Sequence, residues 1–239
     1  MYLFKKYYKK FLVSQIFKSV HSNIAKPFEI NYLERIKIQS HENNKPDSKT
    51  LRYVVFDTET TGLDTKKDTL LSIGGVAIHG NSLIVRDSFY ELIKVERSFG
   101  EDIPIHGIMP KESLDGKDEK TVLLAFLKYI DNSILIAHHI DFDLEFLNKS
   151  LSTFTPLKIL NDAIDTAKLA ERIEEKTNPN LYREDRKQFQ LDSLCRKYEI
   201  PSFARHHALS DAITTGILFL KLQKKWIRMG NEQLKTLYF

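Results

Sequence analysis

FDTETTGLD, residues Phe56 to Asp64, is the stretch on which the reading of this chain turns. The residues leading into it, Tyr53, Val54, Val55 and Phe56, form a short apolar run suited to a strand buried in the centre of a sheet. Asp57 and Glu59 stand two apart, and in extended chain such residues project on the same side. Two carboxylates therefore share one face at the end of a buried strand. Left uncompensated, the pair is costly, because like charges repel and burial disfavours both charged forms. A bound divalent cation removes that cost; an exposed strand end carrying two solvated acids is the other reading. Gly62 permits a tight turn, and Leu63 sets an apolar side chain beside the acids.

Strand-like runs follow at Leu70 to Ile78 and Leu83 to Leu92, separated by short polar breaks, as in an antiparallel meander. Helical periodicity at Val122–Ile130 is followed by a short apolar strand, Ile134–Ala137, and a second helical run, Leu144–Leu151. Ile159 reads as the centre of another short strand. Asp165 reads as the N-cap of a helix to about Glu175, and Lys176–Asp185 as a polar loop. Phe189–Tyr198 and Ala208–Trp226 read as helices. Strands first, then strand and helix in alternation, predict an α/β domain with a mixed sheet.

Two further stretches concentrate ionisable groups. In AHHIDFDLEFL, residues 137–147, a strand ends and a helix begins near Asp143. Asp143 suits a helix N-terminus, and it equally suits a metal ligand. In HHALSDA, residues 206–212, His206 precedes Asp211 by five positions, which sets a loop histidine ahead of a helical aspartate.

Together these segments resemble the DnaQ-like DEDDh exonuclease family, which includes the proofreading epsilon subunit of bacterial DNA polymerase III; the resemblance runs from about Arg52 to Leu222. It implies a ribonuclease H-like fold, a mixed sheet flanked by helices, and metal-dependent 3′–5′ removal of nucleoside monophosphates from DNA ends. By motif position, Asp57 and Glu59 match the first acidic pair, Asp143 the second-motif acid and Asp211 the last acid, all metal ligands in the family. His206 matches the general base. The implied cofactors are two ions of Mg²⁺ or Mn²⁺, which hard carboxylate oxygens favour. Thr61, Leu63, His106 and His139 fall at substrate-binding positions. His106 lies in IHGI, residues 105–108, and His139 stands where the family often has Asn. Asp141 is set aside because Phe142-Asp143-Leu144 resembles the family's Phe-Asp-Leu-like run, and His207 because the spacing to Asp211 selects His206. Phe142 is read as core. Thr60–Thr61 looks more like the DNA-directed members than the oligoribonucleases. Trimming of RNA 3′ ends is the enzymatic alternative, and a non-catalytic nucleic-acid-binding module the alternative from another class.

Charge is unevenly spread. Residues 1–50 carry ten Lys/Arg against four Asp/Glu, and the rest of the chain 26 against 28. Phe4, Tyr8, Leu12, Ile16 and Val20 recur every four positions opposite Lys6 and Lys10, so a basic amphipathic helical arm is expected, with Ser40–Thr50 as linker. The reading divides the chain into that arm and linker, residues 1–50, and an exonuclease domain, residues 51–239. A basic arm on a nearly neutral body suits an anionic partner, either nucleic acid or a lipid surface; a helix packing its apolar stripe on the main domain is the other reading. The last residues, QLKTLYF from Gln233 to Phe239, loosely resemble peptides that bind bacterial sliding clamps, with an ordinary hydrophobic tail packed on the domain as the other reading; a DNA polymerase or a sliding clamp is a candidate partner. One cysteine excludes an intrachain disulfide, and Cys195 reads as core. No run reaches the roughly 18 apolar residues of a membrane span. A cytoplasmic setting is expected on these grounds.

Overall fold

The computed structural model describes residues 32–36, 51–95, 115–177, 186–201 and 205–231. Its centre is a five-stranded sheet in the order β3-β2-β1-β4-β5. Strands β1 (Arg52–Thr60), β2 (Leu70–His79) and β3 (Ser82–Leu92) form the antiparallel meander. β4 (Ile134–Ala137) runs parallel to β1, and β5 (Ala163–Asp165) parallel to β4.

β1 is apolar on both faces because both are covered. Val54 and Phe56 pack with Phe126 of α1 (Glu119–Ile130) and Phe146 of α2 (Ile140–Ser152). Tyr53 and Val55 face the other way, onto a cluster with α3 (Thr166–Thr177), α4 (Leu191–Lys197) and α5 (Ala208–Arg228). The period of two then carries forward: Thr58 continues the first face, and Asp57 and Glu59 continue the second. Asp57 pairs with Gly74 and Glu59 with Ser72; the register shifts immediately after Glu59, where the chain leaves the sheet.

Gly74 lets α5 reach this strand end. A Cβ there would lie 2.2 Å from the backbone nitrogen of Leu209, in the first turn of α5. Backbone cannot rotate away as a side chain can. Gly74→Ala is therefore expected to push α5 off β2 and to cost about 1–3 kcal/mol. Chemical denaturation measures this, and a stability equal to wild type would contradict the contact.

Three expectations are corrected. Ile159 is not in a strand: its N–H donates to the Asn148 side chain at 2.8 Å, and β4 takes Ala163–Asp165 as its partner instead. The second helix starts at Ile140, a turn earlier than expected, because His139 adopts a left-handed conformation (φ 61°) and bends the chain directly from strand into helix. Phe189–Tyr198 is not one helix. A 3₁₀ turn, Arg186–Phe189, is followed by extended Gln190 and then α4. The other helices and strands agree with the sequence reading to within a few residues at their ends, and the Asp165 side chain accepts the Ala167 N–H at 2.9 Å, as an N-cap does.

Within the stretch assigned to arm and linker, residues 32–36 are helical, and Tyr32, Leu33 and Ile36 are buried in the core cluster of α1 and α2. The Tyr32 hydroxyl donates to Asn161 Oδ1 at 2.7 Å. The amphipathic stripe of the arm, His106, the loop after Thr177 and the C-terminal tail lie outside the described residues.

Candidate active site

The end of β1 and the first turn of α5 build the centre of the site. Asp57 and Glu59 project from β1 toward α5, and Asp211 projects back. One oxygen from each of the three lies within 4.8 Å of the others. Asp143 reaches the same strand end from α2, on the opposite face of the sheet, and is outside that close trio. It does not cap its helix. Its Oδ1 accepts the Thr58 backbone N–H at 3.0 Å and the Thr58 hydroxyl at 2.6 Å. The alternation along β1 explains the division: Thr58, between the two acids, points at the helix that carries Asp143.

All four carboxylates line one open cleft of about 380 Å³, together with His206, His139 and Leu63. Seven of the nine residues singled out from sequence are thus brought together. Thr61 is near the cleft without lining it. Its hydroxyl donates to Asp68 Oδ1 at 3.0 Å, and the second Asp68 oxygen accepts the Asp64 N–H at 2.9 Å, so Asp68 ties down the turn that presents Leu63. Leu63 is 84% exposed, an apolar side chain held at the mouth of an acidic cleft. His106 lies outside the described residues.

The two set-aside neighbours do other things. Asp141 is exposed and pairs with Lys168 at 2.6 Å. His207 N-caps α5, with Nδ1 accepting the Ser210 N–H, and stacks on Tyr90 with ring centres 4.4 Å apart. His206 sits at φ 61° with its N–H donating to Asp211 Oδ2 at 3.1 Å, which turns its side chain into the cleft. Phe142, read as core, is half-buried: it packs on Phe146 and also lines the cleft.

Three contributors escaped the sequence reading. Thr58 was legible in principle from the period of two. His138 lines the cleft, shares a 2.8 Å hydrogen bond with the Thr166 hydroxyl and meets the His139 ring edge-on at 4.5 Å. Arg205 pairs with Asp211 and, through Nε, with Asp192 at 2.7 Å. Nothing in the spacing of an arginine next to a histidine signals that pairing.

Burial and mutual repulsion dominate the electrostatics. Burial raises the Asp57 carboxyl well above the usual range, and Asp143, Asp211 and Glu59 push it further up. Burial, then Asp211 and Asp143, push Glu59 up to about 8. Burial also raises Asp143, against the two Thr58 hydrogen bonds that favour its charged form. Arg205 is too little positive charge for four acids. A divalent cation fits this donor set: the trio is all carboxylate oxygen, hard and anionic, and its cost is the one such an ion removes.

These shifts fix a pH dependence. Without metal, folded Glu59 holds a proton that the unfolded chain releases above 4.5, so its contribution is complete below 4.5 and is lost as pH rises through about 8. His138 works in the opposite direction. Burial, then His139, lower it from 6.5 to about 3, so its effect on stability is spent once the pH exceeds 6.5. In EDTA, the melting temperature is therefore expected to fall between pH 6.5 and 8, by at most about 1.4 kcal/mol of stability per pH unit for each such carboxylate. Glu59→Gln should flatten that fall, and added Mg²⁺ should reverse it. A melting temperature that rises over this window would contradict the picture.

Comparison with known proteins places this geometry in context. A family model described as RNase_T, an exonuclease, matches residues 54–219. The chain is 30% identical over 186 residues to the PolC-type DNA polymerase III of Thermotoga maritima, covering 77% of this chain and 13% of that protein. It is 33% identical over 180 residues to the PolC-type DNA polymerase III of Bacillus subtilis, covering 74% and 12%. The chain thus spans about an eighth of the length of these relatives. Among solved structures, E. coli exonuclease I in complex with a dT13 oligonucleotide superposes with a TM-score of 0.61 at 16% identity, over 76% of this chain and 43% of that one; this is a likeness of fold.

Proposed function

The chain belongs to the RNase_T exonuclease family, and from that premise we propose that it is a divalent-metal-dependent 3′–5′ exonuclease that removes nucleoside monophosphates from DNA ends. The observation that carries the reading is the meeting of Asp57, Glu59 and Asp211 within 4.8 Å, with Asp143 and His206 on the same cleft.

Asp57, Glu59 and Asp211 are the ligands of the proposed ions, with Asp143 completing the set from the other side of the strand end. Mg²⁺ or Mn²⁺ held by these carboxylates would supply Lewis acidity to the attacking water and to the leaving 3′ oxygen. His206 takes the proton of the attacking water. Its backbone N–H on Asp211 fixes the distance between base and ligand. Thr58 holds Asp143 by two hydrogen bonds, so that ligand is pre-oriented. Leu63, anchored by the Asp68-tied turn, offers an apolar face to the terminal base. His139, at the cleft wall, and Thr61, through its turn, serve the same end. His106 keeps its place in the proposal by motif position alone.

Two features favour DNA. The relatives named above are DNA polymerases, and the structural neighbour is described with a dT13 oligonucleotide. A polymerase or sliding clamp as partner belongs to the same proposal. The test is digestion of end-labelled single-stranded DNA, mismatched duplex DNA and short RNA with Mg²⁺ or Mn²⁺. Faster loss of DNA 3′ nucleotides is expected. Preference for the RNA would replace the substrate, and no cleavage of any would overturn the activity.

The basic arm is proposed to supply long-range attraction for the polyanion. Tyr32, Leu33 and Ile36 are core residues, so the informative truncation removes residues 1–30 and leaves them in place. Substrate affinity measured in Ca²⁺ across a salt series is expected to drop for the truncated chain, with a shallower dependence on salt. Equal affinity and equal slope would remove the arm from binding.

A further inference from the structure

Asp211 has both carboxylate oxygens engaged within the chain. Oδ2 accepts the His206 N–H at 3.1 Å, and Oδ1 is held by the Arg205 guanidinium. The second contact is unusual for a proposed ion ligand, because a full positive charge already occupies one of its two oxygens. Arg205 is set there deliberately: its Nε donates to Asp192 Oδ1, on α4, at 2.7 Å, which fixes the side chain between two elements. Its side chain remains 27% exposed, so it has room to leave. Its field also favours the charged forms of Asp57 and Glu59, the other two members of the trio.

We propose that Arg205 is a resident counter-cation of the acid cluster, holding Asp211 in the metal-free chain and giving it up to the divalent ion. This rests on the reading of the trio as an ion site. The pairing has two consequences. In the metal-free chain Arg205 offsets part of the repulsion among the acids, so the site survives without ions. An arriving ion must break the Arg205–Asp211 pair before it gains Asp211, so the arginine weakens ion binding and raises the concentration at which the site fills. When displaced from Asp211, Arg205 keeps its Asp192 partner. It is a regulator of occupancy and takes no part in the bond-breaking step.

The experiment is calorimetric titration of the full chain with Mn²⁺, beside thermal melts in EDTA and in saturating Mn²⁺. Arg205→Gln removes the charge; Arg205→Lys keeps it. Arg205→Gln is expected to melt lower than wild type in EDTA, to bind Mn²⁺ on the order of tenfold more tightly, the effect of one close opposing charge, and to show a larger rise in melting temperature on adding Mn²⁺. Arg205→Lys should stay close to wild type in affinity. Equal or weaker Mn²⁺ binding by Arg205→Gln, with wild type binding normally, overturns the counter-cation role alone and makes Arg205 a support for Asp211. A wild type that binds no Mn²⁺ overturns the ion site itself. If Arg205→Gln is too unstable to titrate, Arg205→Met decides by the same two readouts in the presence of a stabilising osmolyte: tighter binding upholds the role, and weaker or equal binding overturns it.

Discussion

Asp57→Ala is expected to leave the fold intact and to lower phosphodiester cleavage by on the order of a thousandfold or more, as is Asp211→Asn. At position 57 the fold survives because the lost carboxylate is a net burden to the metal-free chain. Burial and three neighbouring acids already disfavour a charged Asp57, so its removal relieves repulsion at the end of β1. Asparagine at 211 keeps an oxygen to accept the His206 N–H, so the loop ahead of α5 keeps its geometry. Activity is lost because, among the described residues, the trio has no spare oxygen donor. Thr58 points to the other face of β1 and is committed to Asp143, and Asp141 is exposed and paired with Lys168. Single-turnover cleavage of labelled oligonucleotide, beside a thermal melt, measures both halves. Turnover near wild type in either variant, with Mg²⁺ present, would remove the residue from the ion site.

The second large effect separates two adjacent histidines. His206→Ala is expected to reduce cleavage by roughly a hundredfold to ten-thousandfold, the range for a lost general base, while Mn²⁺ binding persists. The backbone N–H that holds Asp211 is unaffected by the side chain. His207→Ala is expected to cost stability instead, about 1 kcal/mol, because it removes an N-cap acceptor and the stacking on Tyr90. The two readouts, rate and stability, should therefore cross over between the variants. A larger rate loss in His207→Ala would exchange their roles.

Much of the fold was legible because β1 is apolar on both faces and its neighbours β2 and β4 are themselves short apolar runs, buried almost throughout. The mixed sheet and its flanking helices follow from that run and from the periodicity of the helices. Ile159 misled because a short apolar stretch reads as strand whether or not a partner strand is free; here Asn148 captures its N–H. The start of α2 was missed because a left-handed His139 has no sequence signature comparable to glycine. At the site, the i, i+2 rule placed Asp57 and Glu59 side by side, and the same rule applied to Thr58 accounts for where Asp143 is held. What a local pattern cannot carry is a contact between distant elements. Arg205 on Asp192 and Tyr32 on Asn161 join residues whose meeting depends on the packed structure, and neither has a spacing to read. The burial of Tyr32, Leu33 and Ile36 was hidden for the same reason, since a basic stretch and a polar linker surround them.

The acid cluster, loaded with divalent ions, is proposed to shorten DNA from the 3′ end. The direct measurement is digestion of a 5′-labelled single-stranded DNA in Mg²⁺, in EDTA, and in Mg²⁺ with Asp57→Ala. A ladder of labelled products shortening one nucleotide at a time, present only for wild type in Mg²⁺, is the predicted result. Immediate release of the label as a mononucleotide, or an undiminished ladder in EDTA or with Asp57→Ala, would contradict it.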